Sequence, residues 1–167
     1  SCVGASHEKA DWFNVELTII EYPRLRIKKA TSNSKVDIKR REKGVAALQD
    51  LRALDDSSVV CNFHNPELQD KIDYLNAATN FGYDKKSLMR VGERINNIKR
   101  LISCKLGITR DDDRLPKHLT KTLSTGRSAG LELDLGDNLK KYYKTREWNW
   151  ETGRPSEEKL MELGIIE

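Results

Sequence analysis

Chemically active side chains are concentrated in residues 51–63, where a helical pattern comes to an end. This stretch carries the carboxyl of Asp56, the hydroxyl of Ser57 and, five residues after Asp56, the thiol of Cys61. A thiolate is a soft metal ligand and a carboxylate accepts hydrogen bonds, so the two together suit the edge of a cofactor site. A purely structural role is the alternative: Asp56 or Ser57 caps a turn, and Cys61 is a small buried hydrophobe. Spacing alone favours the structural role.

Two other sets of residues have the types that metals use. Cys61 and His64 form a Cys-x-x-His pair, but no second ligand pair follows at the spacing of a structural zinc site. The run 111–113 is entirely aspartate, yet it lacks the alternating spacing and later glutamate of a calcium loop. Arg110 and Arg114 flank that run, so we predict local ion pairing there.

Composition limits the class of protein. The chain has 167 residues, of which 37% are hydrophobic and 34% charged, as expected for one helical domain with long charged faces. No apolar run approaches the roughly 18–20 residues that span a bilayer, and we expect no secretion signal. The three cysteines form no CxxC and are odd in number, which favours a reducing, cytoplasmic setting over a disulfide framework.

The elements that must position residues 51–63 are helices. Apolar periodicity and capping residues predict a mainly α, multihelical single domain over residues 37–167. The predicted helices span 37–54 with Asp37 as cap, 66–79 with Asn65 as cap, Asp84 to Gly107, a short helix after Asp137, and a last helix from 154 to Gly164. Residues 1–36 form an irregular or β-containing arm, in which the aromatic and β-branched residues 12–20 suggest a strand.

The third of these helices has the clearest apolar face. Its apolar residues recur at three- and four-residue steps: Leu88, Val91, Ile95, Ile98 and Ile102. Gly92 lies inside it, where glycine costs about 1 kcal/mol relative to alanine. A close helix crossing or a nearby cofactor would each explain this glycine, and so would chance.

Basic residues crowd the segment from Arg24 to Lys43. A nucleic-acid surface is one interpretation, but no nucleic-acid module signature accompanies the run and aromatic residues do not interleave with it. A solvated face is the simpler explanation, so we predict no nucleic-acid partner.

From about Lys43 to the end, the chain resembles the C-terminal helical domain of the tungsten-containing aldehyde:ferredoxin oxidoreductases. Four stretches carry the likeness in order and spacing: residues 56–61 (DSSVVC), 75–79 (LNAAT), 91–116 with VGERI at its start and RDDDRLP at its end, and 142–164 with YY, R, W and GRPSEEKL. Their order and spacing match over about three quarters of the chain.

The resemblance implies particular roles for the first stretch. Cys61 would be the fourth ligand of a four-iron four-sulfur cluster, Asp56 would hydrogen-bond a pterin of the tungsten cofactor, and the backbone around Val60 would line the same pterin. The whole enzyme would oxidise aldehydes to carboxylic acids and pass electrons to ferredoxin. The chain would then be a fragment or subunit whose partners are the upstream pterin-binding and CxxCxxxC domains, with a large apolar face awaiting them.

The sequence also departs from the family pattern. It has no CxxCxxxC motif, and Val59 stands where the family's Asp-x-x-Gly-Leu-Cys motif has glycine. Valine adds bulk there and disfavours a positive φ. We therefore expect the isolated chain to be inactive and to hold neither cofactor. The alternative is a cofactor-free helical interaction module derived from the same domain.

Overall fold

The computed structural model describes residues 9–10, 12–17, 19–28, 41–61, 64, 66–126, 129–130 and 135–167. The helices in this part of the chain are α1 (Trp12–Glu16), α2 (Arg41–Ser57), α3 (Leu68–Thr79), α4 (Lys85–Lys105), α5 (Leu135–Arg146) and α6 (Glu157–Glu162), with short 3₁₀ turns between some of them. Pairing between extended segments of the described residues is confined to isolated bridges. The mainly α prediction is confirmed.

The strand predicted near the N-terminus is wrong. Trp12–Glu16 is one and a half turns of α-helix, in which the Trp12 indole donates to the Glu16 carboxylate at 2.9 Å. Val15 is completely buried and joins the apolar cluster that also contains Leu48 and Leu51 of α2. Packing of this one face against α2 outweighs the strand preference of β-branched residues.

Capping side chains fix most of the later helix boundaries. Asp84 caps α4 by accepting from the Ser87 amide at 2.7 Å, as predicted. Ser156, within the segment predicted to open the last helix, caps α6. The cap of α3 is Glu67, whose amide donates to Asp70, so Pro66 lies outside the helix. The predicted caps Asp37 and Asn65 lie outside the described residues, and Asp137 is in the first turn of α5 and does not cap it.

Helices α2 and α4 cross in close contact. A Cβ atom on Gly92 would lie 2.3 Å from the backbone oxygen of Asp50, so glycine lets the two helices touch. Beside this contact, the Asp50 carboxylate accepts from the Asn96 amide at 2.8 Å and from the Arg146 guanidinium at 2.7 Å. A close helix crossing therefore accounts for the glycine inside α4.

A second polar network holds the C-terminal segment to α4. Buried Arg100 donates to the Gly153 carbonyl at 2.7 Å and pairs with Asp113 at 2.8 Å. Tyr143 donates to the same carboxylate, and burial together with this hydrogen bond raises the pKa of Tyr143. The aspartate run thus does form an ion pair, but the buried partner of Asp113 is Arg100 on α4 and not a flanking arginine.

The predicted apolar face of α4 is only partly the buried one. Leu88 is 1% exposed, but Ile98 is 37% and Ile102 is 51% exposed. The buried face in this half of the helix consists of Gly92, Asn96, Asn97 and Arg100. These polar side chains bury because each finds a partner, as when Asn97 accepts from the Trp148 indole at 2.8 Å.

The C-terminal segment completes the domain. Leu160 and Leu163 are buried, and Gly164 adopts a φ of 65° just after α6, as predicted. Tyr143 and Trp148 are buried within a second apolar cluster with Ala46 of α2, so these aromatics belong to the core. None of the helices in the described ranges is both long enough and apolar enough to cross a membrane.

Gly92→Ala tests the helix crossing. The added methyl group must displace the α2 backbone at Asp50, so we expect a loss of about 1–3 kcal/mol in the free energy of unfolding. Urea unfolding followed by circular dichroism measures it. Lys86→Ala, an exposed change on the same helix, serves as the control and should be close to neutral; equal effects would contradict the crossing.

Candidate functional site

The candidate site lies where α2 ends and the chain turns toward α3. Asp56 and Ser57 belong to the last turn of α2, and residues 58–67, which we call the connector, join the two helices. The Asp56 carboxylate is exposed and pairs with the Lys9 ammonium at 2.7 Å. The Ser57 hydroxyl donates back to the Ala53 carbonyl, so it supports the helix end.

The Cys61 side chain is exposed to solvent. Its predicted structural role, as a small buried hydrophobe, is therefore wrong. The half-buried Val60 precedes it, and the Val60 amide donates to the Asp55 carbonyl at 3.0 Å, which fixes the chain just after the helix. Thus the backbone at Val60 is held by the end of α2, while the Cys61 thiol and the Asp56 carboxylate are exposed.

Val59 makes the turn between these residues. Its φ is 56°, in the left-handed region, and its side chain is 92% exposed. This backbone conformation costs a β-branched residue about 1–2 kcal/mol, and it is the conformation that glycine adopts freely. Valine was expected to disfavour a positive φ here. The chain adopts this conformation nonetheless, with the Val59 side chain exposed to solvent.

A buried ion pair ties together the two helices that flank the connector. The Asp55 carboxylate, in the last turn of α2, lies 2.8 Å from the Lys71 ammonium in the first turns of α3, and both groups are buried. Arg52 approaches the same carboxylate at 3.4 Å. Burial raises the pKa of the nearby Tyr22, and the negative charge of Asp55 adds to this effect. The charged groups that hold the two ends of the connector together therefore belong to the flanking helices and not to the connector itself.

Neither Asp55 nor Lys71 was predicted from the sequence to belong to the site. The signal was present for Asp55, because it follows Leu48 and Leu51 at helical spacing and so places a carboxyl on an apolar face. A carboxylate on such a face requires a buried partner. Nothing in the spacing identified that partner as Lys71.

The donor set around Cys61 is incomplete for a metal on its own. In the residues that the structure describes, no group of three or more His, Cys, Asp or Glu side chains is arranged to hold a metal ion. His64 is exposed and brings no second ligand pair with it. A metal centre bound through Cys61 must therefore take its other ligands from outside this part of the chain.

Comparison with known proteins identifies the class to which this helical domain belongs. Residues 1–165 match the family model described as aldehyde ferredoxin oxidoreductase, domains 2 & 3. The chain belongs to the aldehyde ferredoxin oxidoreductase family, as the resemblance predicted.

Curated relatives agree with this assignment. The chain is 41% identical over 123 residues to the tungsten-containing aldehyde ferredoxin oxidoreductase of Pyrococcus furiosus, a match that covers 71% of the chain and 20% of the relative. It is 40% identical over 129 residues to the Pyrococcus abyssi protein of the same name, covering 75% of the chain and 21% of the relative. The chain therefore spans about a fifth of the length of these relatives.

Val59→Gly tests the strained turn. Glycine removes the cost of the left-handed conformation but adds flexibility to the unfolded chain, so we expect a net gain of about 0.5–1 kcal/mol in stability. Thermal unfolding measures the gain. Val60→Gly is the matched control, because Val60 has no positive φ, and it should destabilise the chain; a loss of stability in Val59→Gly would contradict the strain.

Lys71→Ala tests the buried ion pair. It removes the closer partner of the buried Asp55 carboxylate, and we expect a loss of about 3 kcal/mol in the free energy of unfolding. Urea unfolding is again the measurement. Arg24→Ala, which removes the exposed pair with Glu67 at 3.4 Å, should cost less than about 1 kcal/mol. A loss as small in Lys71→Ala would show that the pair does not hold the connector.

Proposed function

We propose that this chain is part of a tungstopterin and iron–sulfur oxidoreductase that converts aldehydes to carboxylic acids with ferredoxin as electron acceptor. Within it, the chain supplies the edge that faces the cofactors and does not supply the catalytic base. The observation that supports this proposal most directly is the exposed Cys61 thiol. It lies on the connector between two helices that the buried Asp55–Lys71 pair joins. Membership of the family supports the reaction class.

Cys61 is the proposed metal ligand. As a thiolate it would provide the fourth bond to a four-iron four-sulfur cluster, a group that accepts and passes on single electrons. Its exposure leaves the sulfur accessible to a cluster held by three other thiolates, which the upstream CxxCxxxC domain would provide. The tie between the Val60 amide and the Asp55 carbonyl then limits how far the sulfur can move.

Asp56 is the proposed pterin ligand. Its carboxylate points outward and can accept hydrogen bonds from the ring and amino N–H groups of a pterin. In the free chain this carboxylate forms an ion pair with the Lys9 ammonium. Both partners are about a third exposed, and such a pair is worth only about 0–1 kcal/mol, so a pterin could replace Lys9 at little cost.

The Val60 backbone is the third proposed contact. It follows the left-handed turn at Val59, and in sequence it lies between Asp56 and Cys61. A pterin bound by Asp56 would then contact this backbone. The Val59 side chain, which points into solvent in the free chain, must also fit against the cofactor or the domain that holds it.

Cys61→Ser in an assembled enzyme tests the ligand role. In a chimera of the Pyrococcus furiosus relative, this chain replaces the matched segment, and iron content with the visible absorption of the cluster is measured. We expect Cys61→Ser to lose most of the cluster, because a serine hydroxyl is a much poorer ligand for iron than a thiolate.

Cys104→Ser is the matched control for this experiment. Cys104, near the end of α4, is half-buried, and its sulfur lies 3.6 Å from the Gly153 carbonyl oxygen of the C-terminal segment. The control should keep its cluster. Full cluster content in Cys61→Ser would remove the ligand role and leave the cofactor-free interaction module as the better description.

A further inference from the structure

Helix α4 exposes an apolar stripe that this fold does not cover. Ile98, Ile102 and Leu106 follow one another at four-residue steps and so lie on one face of the helix and its C-terminal cap. Their exposure rises along the helix, from 37% through 51% to 80%. Ile108, just beyond the cap, is also exposed. We call these four residues the α4 stripe.

Helix α4 has a buried face in addition to the exposed stripe. The opposite side of the same helix is fully engaged: Gly92 touches α2, and Asn97 binds the Trp148 indole. Arg100, one turn further, is held by Gly153 and Asp113. Rotating α4 to bury the isoleucines would leave these polar groups without partners, which costs more than exposing the stripe. The exposed apolar residues of α4 are therefore available to contact a partner outside this domain.

We propose that the α4 stripe is the docking surface for the remainder of the oxidoreductase, a proposal that rests on the function proposed above. The relatives carry about four fifths of their length outside the segment that this chain matches. That additional chain must pack on this domain somewhere, and a helical row of exposed aliphatic side chains is the kind of surface that domain interfaces bury.

The charges beside the stripe indicate the chemistry of its partner. The charged residues of α4 that lie within one turn of Ile98 and Ile102 are all basic: Arg94, Lys99, Arg100 and Lys105. Arg100 is buried, so Arg94, Lys99 and Lys105 remain to border the stripe. The matching surface should therefore be apolar at its centre and acidic at its rim. A second copy of this chain would bring the same basic residues together, which makes self-association through the stripe less favourable.

The test compares one substitution in two settings. Ile102→Ser is made in the chain alone and in the chimera with the Pyrococcus furiosus relative, and thermal unfolding is measured in both. Met161→Ser on α6 is the matched control, because Met161 is 54% exposed on a helix, close to the 51% of Ile102. Adding Leu106→Ser to Ile102→Ser should enlarge the effect.

We expect both substitutions to leave the unfolding temperature of the free chain nearly unchanged. In the chimera, Ile102→Ser should lower the temperature by several degrees and Met161→Ser should not, because only the stripe is covered there. Equal effects of Ile102→Ser in both settings, or none in the chimera, would overturn the proposal, and so would a chimera that fails to assemble.

Two further results separate the possible outcomes. A dimer of the free chain that Ile102→Ser turns into a monomer, seen by light scattering, would make a second copy the occupant and also overturn the proposal. The iron content of the chimera reports on the role of Cys61 independently. An assembled chimera that lacks iron would fail the proposed function while leaving the docking surface to be judged by the unfolding temperatures.

Discussion

The fold depends on the close approach of α2 to α4 at Gly92. Because glycine has no side chain, the Asp50 carbonyl can touch α4. The Asp50 carboxylate is thereby placed within reach of Asn96 and Arg146. This contact fixes the direction in which α2 runs, and so determines where its last turn delivers Asp56 and the connector.

Buried charges, rather than apolar side chains alone, join the elements of this domain. Arg146 on α5 donates to the Ala46 carbonyl and to the side-chain oxygen of Gln49, both on α2, at 2.9 Å each. Arg100 joins α4 to the C-terminal segment by donating to the Gly153 carbonyl. Exchanging such groups for well-packed apolar ones is often neutral or even stabilising, whereas removing one partner is costly. We therefore interpret them as groups that fix how the helices are arranged rather than as a net source of stability. The Asp55–Lys71 pair does this for the two helices that flank the candidate site.

Sequence reasoning succeeded where a signal was local. Asp84 was identified as a cap because a capping interaction is made within the first turn, here with Ser87 three residues on, and the ordered motifs identified the family. It failed where the answer lay in another element. Trp12–Glu16 has strand-forming residues but is helical because α2 offers Val15 a place to bury.

The misassigned face of α4 and the missed pair under the connector have the same cause. Periodicity located the apolar row of α4 but gave no reason to bury Asn96 or Arg100, whose partners are distant in sequence. For the same reason Lys71 could not be assigned to Asp55. The exposure of Cys61 likewise could not be predicted from spacing. The residue type of Val59 also argued against the left-handed turn that precedes this cysteine.

The central claim is that the Cys61 sulfur faces a cofactor held by the rest of the enzyme. Anomalous diffraction at the iron edge, on crystals of an assembled enzyme that contains this chain, tests it most directly. The account predicts an iron peak within bonding distance of the Cys61 sulfur. Iron peaks that all lie far from this sulfur, with the connector unchanged, would contradict it.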